Sequence, residues 1–214
     1  MKAIAVFPET HEVKLIDHEE PEITTPTQVK LRMLEVGVCG TDKKITSFQF
    51  GAPPAGSEYL VIGHESLGEV VEVGSKVRDI KPGDLAVAVV RHPCPHEYCR
   101  ACRTGHQDFC FTGDFTECGI KESHGFMTEF VVAEERHMNV MPRDLRDVGV
   151  LTEPLTVAEK AMAQVWQIQP SISEPLRGVE NNDKRTNPCG QCSLFVGSHR
   201  ECGRGAWGIC PGPG

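Results

Sequence analysis

One loop of the chain, residues 94–110, concentrates thiols and imidazoles in a short polar stretch. The side chains are those of Cys94, His96, Cys99, Cys102, His106 and Cys110. A structural zinc ion takes four such ligands, mostly thiolates, in a closed tetrahedral shell. Closely spaced cysteines in a loop with proline and glycine have no core to bury them, so four unrelated buried thiols are the weaker interpretation. The loop therefore predicts a structural zinc site.

The first ligand of this site is open between two residues. Cys99, Cys102 and Cys110 belong to both candidate sets. The fourth ligand is either Cys94, after a longer spacer, or His96, which gives a tighter spacing. Because thiolate binds zinc more strongly than imidazole beside three thiolates, we favour Cys94.

Composition sets the broad class of the chain. Its 214 residues suffice for one well-cored domain, with or without an appendage, because a domain takes roughly 100 to 150 residues. A net charge of −8 without a basic stripe disfavours nucleic acid as a partner. The first apolar run stops at Pro8, too early for a signal peptide or a membrane span. We therefore expect a cytoplasmic protein whose cysteines are reduced and free to bind metal.

Short strands separated by turn residues follow one another from Lys2 to about Ala133. Val71 and Val73 alternate with Glu72, which is typical of a half-buried strand. DLAVAVV is apolar after its initial Asp84 and is expected to be buried on both faces. The pattern predicts a partly closed antiparallel barrel built from KAIAVF, EVKLID, QVKLRMLEVGV, LGEVVEV, DLAVAVV and GFMTEFVVA.

One helix is expected from about Pro154 to Ile168. Thr152 stands where a cap is needed, and proline is favoured in the first turn because its missing N–H has no partner there. The apolar residues that recur at helical spacing are Val157, Ala161, Val165 and Ile168.

The composition changes after Gln169, and residues 170 to 214 are rich in Gly, Pro, Asn and Cys. Four cysteines lie in this tail: Cys189, Cys192, Cys202 and Cys210. The tail is either a small metal knuckle or not a folded segment, and the second is favoured because zinc-like spacings recur by chance in cysteine-rich tails. We expect residues 1–168 to form the zinc-binding domain and 169–214 an irregular tail.

A glycine pattern in the tail, Gly203-x-Gly205-x-x-Gly208, resembles a dinucleotide-binding turn. It has no preceding strand, and Pro211 and Pro213 block a following helix. We do not assign it as a nucleotide site, so the cofactor-binding residues stay unknown. We expect a truncated chain, and a shifted reading frame over the tail is one explanation of its composition.

A second set of ligand-type residues is spread along the chain. Cys39 lies in GVCGTD, His64 and Glu65 lie in VIGHESLG, and Glu153 opens the expected helix. A catalytic zinc takes about three protein ligands and leaves one position open, which a mixed thiolate, imidazole and carboxylate set suits. Each residue alone also has a structural interpretation: a core thiol, a surface pair, or a carboxylate at a helix N-terminus.

The context of these residues favours the catalytic interpretation. The run from Gly63 to Gly68, with Gly74 and Val77 behind it, resembles in full the signature of zinc-containing medium-chain dehydrogenases. The likeness covers about residues 1–168 and is strongest to prokaryotic glucose (aldose) 1-dehydrogenases, through CRTGHQDFCFTGDF, GIKESHGFMTEFVV and LTEPLTVAEKA. It implies a GroES-like, partly open β-barrel catalytic domain, mainly β with a few helices. Because few residues follow this domain and they show no strand–helix alternation, we expect the Rossmann domain to be absent.

The resemblance also implies roles for individual residues. Cys39, His64 and Glu65 would hold a catalytic zinc, with Glu153 entering and leaving its shell. Thr41 would bond the reacting hydroxyl and pass its proton outward, and Asp114 would join Glu153 in facing sugar hydroxyls. The expected activity is hydride transfer from an alcohol or aldose to NAD or NADP, with two zinc ions per chain and little turnover by this chain alone. Full-length relatives form homo-oligomers.

Two residues depart from the family pattern. Lys44 stands where many relatives have a histidine that ends the proton relay, and a lysine accepts no proton near neutrality unless its pKa is lowered. Val90 replaces a polar residue that some sugar-binding members use. The substrate is therefore less defined by the sequence than the reaction.

Two other classes of protein were weighed against the dehydrogenase. A non-enzymatic zinc-binding β-barrel that acts as an interaction module is the main alternative. A zinc hydrolase is disfavoured because the segment after His64-Glu65 lacks the second histidine of the helical metalloprotease motif.

Overall fold

The computed structural model describes residues 1–168. The tail cysteines Cys189, Cys192, Cys202 and Cys210 and the glycine pattern beginning at Gly203 lie outside the described residues.

The described part of the chain is mainly β-structure with three α-helices. The strands are β1 Lys2–Phe7, β2 Glu12–Asp17, β3 Gln28–Gly37, β4 Leu60–Val61, β5 Glu65–Val73, β6 Leu85–Ala88, β7 Arg91–His92, β8 Thr116–Cys118, β9 Glu122–Ser123, β10 Phe130–Glu134 and β11 Met138–Met141. The helices are α1 Gly40–Thr46, α2 Arg100–Arg103 and α3 Thr152–Ile168. Short 3₁₀ turns lie at Gln107–Phe109, Glu135–His137, Arg143–Leu145 and Gly149–Leu151.

Three sheets organise these strands. The largest has five antiparallel strands in the order β10-β3-β5-β6-β11. A second sheet has the order β2-β1-β4, and a third has the order β7-β8-β9, in which β8 and β9 are parallel. Within residues 1–168 no doubly wound parallel sheet occurs. The prediction of a mainly β chain without a Rossmann sheet is confirmed for this range.

The core lies along the inner face of the five-stranded sheet. Val29, Leu31, Val70 and Ala86 are each at most 1% exposed and pack together with Phe126. All residues of β6 are buried, as the unbroken apolar run predicted, because β6 lies between β5 and β11.

The alternation predicted around Glu72 is wrong. Leu31 pairs with Val70 and Lys30 pairs with Glu72, so Val71 has no opposite residue and forms a β-bulge. The extra residue shifts the face by one position, which leaves Val71 39% exposed and buries Val70 instead.

Helix α3 is found where it was expected, but its start differs from the prediction. Thr152 is already helical, and its hydroxyl donates to the carbonyl of Gly149 at 2.7 Å instead of capping the helix. No residue of α3 is buried, and Val157 and Ile168 are both more than half exposed.

Strand β10 is shorter than the segment predicted for it. The backbone N–H groups of Phe126 and Met127 donate to the carbonyls of Gly63 and Ile62, so this stretch runs beside the loop before β5. Among residues 1–168, no helix combines the length and the apolar character needed to span a membrane.

Candidate metal centres

Cys39 lies between the end of β3 and the start of α1, where it caps the helix. Its Sγ accepts a hydrogen bond from the backbone N–H of Thr41 at 3.3 Å, and its own N–H donates to Oδ2 of Asp42 at 2.9 Å. The two bonds form a reciprocal capping box. This arrangement fixes the position of the thiol at the N-terminus of α1.

His64 and Glu65 lie where the chain enters β5, and two glycines make room for them. A Cβ on Gly37 would lie 2.0 Å from Oε2 of Glu65, so only glycine leaves space for the carboxylate. Gly63 has φ +88°, and a Cβ there would lie 2.6 Å from Cγ of Met127. The imidazole and the carboxylate are both buried, at 4% and 8% exposure.

The side chains of Cys39, His64 and Glu65 converge on one point. One ligand atom from each lies within 4.8 Å of the others, and Sγ of Cys39 is 3.1 Å from Nε2 of His64. The three come from two chain segments that the sheet brings together, since Gly37 on β3 pairs with Glu65 on β5.

Asp42 orients the imidazole from behind. Its Oδ1 is 3.5 Å from Nδ1 of His64, and both side chains are almost fully buried. Burial opposes protonation of His64, but the hydrogen bond and charge of Asp42, with the contribution of Cys39, raise the pKa of His64 to about 9. Neither Oδ1 nor Nδ1 has another hydrogen-bond partner in the described residues. Such a carboxylate behind a histidine directs Nε2 toward a metal.

Glu153 lies beside this group without belonging to it. It stands in the first turn of α3, and it is not one of the three residues whose ligand atoms lie within 4.8 Å. Burial raises the pKa of Glu153, the charge of His64 opposes this, and the nearby carboxylates of Glu65 and Asp42 add to the rise. Thr41 is half-buried next to Cys39, while Lys44 is exposed in the last turn of α1.

The four-cysteine lobe forms a second, separate group. Cys94, Cys99, Cys102 and Cys110 bring their sulfur atoms within 4.8 Å of one another. Three of them are buried, and Cys110 is half-buried. The structure places Cys94 in this group rather than His96, whose Nε2 is 2.6 Å from Oδ2 of Asp114.

The thiols of the lobe are in unequal environments. The Thr112 hydroxyl and the backbone N–H of Gly113 lower the pKa of Cys110 to about 6, whereas burial raises the pKa of Cys102 to about 12. Four thiolates this close repel one another unless a cation neutralises them. The donor set therefore fits a closed zinc site, and Cys39, His64 and Glu65 fit an open one.

Asp114, which is expected to face substrate, and Val90, which departs from the family pattern, both have neighbours in the structure. Asp114 is 61% exposed and contacts His96 on the lobe. Val90 packs against two apolar clusters of the core, which explains why a valine is tolerated there.

Asp42 was not predicted as a part of the site, although its spacing from Cys39 indicates a capping box. Asp42 follows Cys39 by three residues, which is the spacing of a capping box. The sequence could therefore have predicted a helix N-terminus at Cys39, and helix α1 after it.

The described residues form a β-domain with two separate groups of side chains, one of mixed ligands and one of four thiols, each of which could hold a metal ion. Residues 25–144 match the family described as the alcohol dehydrogenase GroES-like domain. That match covers more than half of the chain, and the chain belongs to this family. The family resemblance and the GroES-like fold class predicted from the sequence are confirmed.

Curated relatives share a name. A glucose 1-dehydrogenase of Methanocella arvoryzae is 45% identical over 170 residues, which cover 79% of this chain and 47% of that protein. Glucose 1-dehydrogenase 1 of Vulcanisaeta moutnovskia is 44% identical over 163 residues, 76% of this chain and 45% of that protein. The chain spans about half the length of the curated relatives it matches.

A solved structure is also similar: Haloferax mediterranei glucose dehydrogenase in complex with NADP, Zn and gluconolactone. The TM-score is 0.73 at 31% identity, covering 81% of this chain and 48% of that one.

Proposed function

We propose that residues 1–168 form the catalytic domain of a zinc-dependent NAD(P) oxidoreductase of the glucose 1-dehydrogenase type. The observation that carries the proposal is the convergence of a thiol, an imidazole and a carboxylate at one point, with Cys39 and His64 3.1 Å apart. A closed structural zinc site takes four thiolate or imidazole ligands, whereas a catalytic zinc takes three protein ligands and leaves one position open. The cysteine-rich sites need a reducing compartment, which supports a cytoplasmic location.

Cys39, His64 and Glu65 would hold the catalytic zinc, which supplies Lewis acidity to the substrate oxygen when bound. Cys94, Cys99, Cys102 and Cys110 would hold the second, structural zinc.

The chain's own residues handle the proton. The backbone N–H of Thr41 donates to the sulfur of Cys39, which places this residue beside the site. We assign Oγ1 of Thr41 as a relay that accepts the proton of the substrate hydroxyl while releasing its own hydroxyl proton outward. Thr41 is half-buried, so a proton can leave from it to solvent.

Glu153 would face the sugar hydroxyls and would also enter and leave the ligand shell of the catalytic zinc. Its carboxyl lies near enough to interact with the charges of His64, Glu65 and Asp42. Burial, together with the two carboxylates, raises the pKa of Glu153, so this group can donate a hydrogen bond to a sugar hydroxyl or accept one from it. Asp114, whose Oδ2 is 2.6 Å from Nε2 of His96, would join Glu153 in facing sugar hydroxyls.

Aldose as the substrate and NADP or NAD as the oxidant rest on the relatives. Oxidation of an aldose at C1 removes a hydride to the nicotinamide and leaves a lactone, and the Haloferax mediterranei structure holds both NADP and gluconolactone. The nucleotide-binding residues are not assigned in this chain.

Paramagnetic relaxation tests the enzymatic proposal without turnover. Cobalt is loaded into both sites, and relaxation of the glucose protons is measured by NMR without NADP, so that no hydride acceptor is present. We expect the C1 proton to relax more strongly than the C6 protons, and the effect to vanish in Cys39→Ser. Cys118→Ala is the control because Cys118 belongs to neither metal group. Equal, weak relaxation of all sugar protons would favour the interaction module.

A further inference from the structure

Helix α3 carries Glu153 but is weakly anchored by apolar packing. None of its residues is buried, and Leu155, Met162 and Trp166 are each at least half exposed. Because helices in proteins are stabilised mainly by packing an apolar face, α3 depends on polar anchors.

One such anchor joins α3 to the four-cysteine lobe. Nζ of Lys160 donates to Oδ2 of Asp108 at 2.6 Å, across 52 residues of sequence. The side chain of Asp108 is 14% exposed and that of Lys160 is 30% exposed, so the pair is partly shielded from water. The same ammonium lies 4.9 Å from the ring centroid of Phe109, which adds a cation–π contact.

Lys160 and Glu153 share one side of the helix. They are seven residues apart, nearly two full turns, so their side chains project in the same direction about 10 Å apart along the axis. A contact that fixes Lys160 therefore also fixes the rotation of α3 at Glu153.

At the other end, the anchor lies directly against the metal ligands of the lobe. Asp108 is the middle residue of the 3₁₀ turn Gln107–Phe109, and Cys110 follows directly after this turn. Nε2 of Gln107 donates to the carbonyl of Arg91 at 3.3 Å, which ties the same turn to β7. A metal held by Cys110 would order this turn, and the turn presents Asp108 to α3.

We propose that Lys160 is a positioning residue: through its ion pair with Asp108, the loaded four-cysteine lobe holds α3 so that Glu153 faces the group of Cys39, His64 and Glu65. The role given to Glu153 rests on the proposed function, whereas the mechanical link between the lobe and α3 does not.

Hydrogen exchange of α3 tests the link. We compare metal-loaded wild type with Lys160→Met, Asp108→Asn and the conservative Lys160→Arg, and we follow the peptide that contains the first turn. We expect exchange there to be about fivefold faster in Lys160→Met and in Asp108→Asn, the ratio that corresponds to an ion pair worth about 1 kcal/mol. Lys160→Arg should exchange at the wild-type rate because it keeps the charge.

The matched control is Lys81→Met, which removes another lysine–aspartate pair, 3.0 Å long, at an exposed turn. It should leave α3 unchanged. Wild-type exchange of the first turn in Lys160→Met, with the cobalt–thiolate band of the lobe intact, would overturn the proposal.

Removing the lobe metal supplies the second arm. Cys110→Ser should speed first-turn exchange in the wild-type background but add little in the Lys160→Met background, because both changes break one link. Equal effects in the two backgrounds would show that the coupling bypasses Lys160 and would refute the proposal. If exchange in α3 responds as expected while cobalt relaxes no glucose proton, the link stands and the dehydrogenase function fails. If cobalt relaxes the C1 proton while exchange in α3 does not respond, only the link is refuted.

Discussion

Replacing Gly37 with alanine should remove the metal from the open site and leave the four-cysteine lobe loaded. The added Cβ would lie 2.0 Å from Oε2 of Glu65 and 2.9 Å from its Cβ. Carbon and oxygen atoms in contact lie about 3.3 Å apart, so the carboxylate must retreat by about 1 Å. Metal ligands tolerate about 0.2 Å of error, and Glu65 would therefore cease to be a ligand.

The expected loss is large for a single methyl group. Disturbing the outer partners of a metal site already costs about 10- to 100-fold in affinity, so displacing a ligand should cost at least about 100-fold. The overpacking itself should lower the free energy of unfolding by about 1–3 kcal/mol.

The assay is competition for zinc with a chromophoric chelator, with the chain's thermal unfolding measured alongside. Gly40→Ala is the matched control, because a Cβ at Gly40 meets no atom within 4 Å. The control should bind both ions as the wild type does. Wild-type affinity at both sites in Gly37→Ala would refute the placement of Glu65 at the metal.

Three further outcomes are expected. Asp42→Asn should weaken metal binding at the open site by about 10- to 100-fold, because His64 loses the carboxylate behind Nδ1, and unchanged chelator competition would contradict this. His137 stacks on His92 at 4.2 Å with Arg136 and Glu134 nearby, and burial, then the charges of His92 and Arg136, lower its pKa to about 4. Its contribution to stability is present above an unfolded pKa of about 6.5 and is lost as pH falls toward 4, by about 1 kcal/mol at pH 5 after allowance for solvent screening. The free energy of unfolding, measured with urea, should therefore differ less between pH 7 and pH 5 in His137→Phe than in the wild type. An equal difference in the two proteins would count against this. Gly63→Ala, which forces alanine to φ +88° against Met127, should lower the free energy of unfolding by about 1–3 kcal/mol, whereas Gly56→Ala, also at positive φ but in open space, should cost less.

Burial could be predicted from the sequence where one pattern dominated. The apolar run of β6 predicted a strand buried on both faces, and the structure has it. Val71 was misjudged because a β-bulge against Lys30 and Leu31 shifts the face, and nothing in the local alternation reveals an unpaired residue.

The candidate metal ligands were predicted from residue type and motif, but their surroundings were not. The need for glycine at position 37 depends on the pairing of β3 with β5, which is a long-range contact. The pair of Lys160 with Asp108 likewise spans 52 residues. Such contacts are decided by the tertiary fold rather than by sequence spacing.

Counting zinc ions per chain tests the two-site account most directly. We expect two ions in the wild type and in Cys118→Ala, and one in Cys39→Ser and in His64→Gln, with the remaining ion held by the sulfur lobe. If the count stays at two when Cys39 or His64 is replaced, no ion is held by that pair, and the oxidoreductase assignment fails with it.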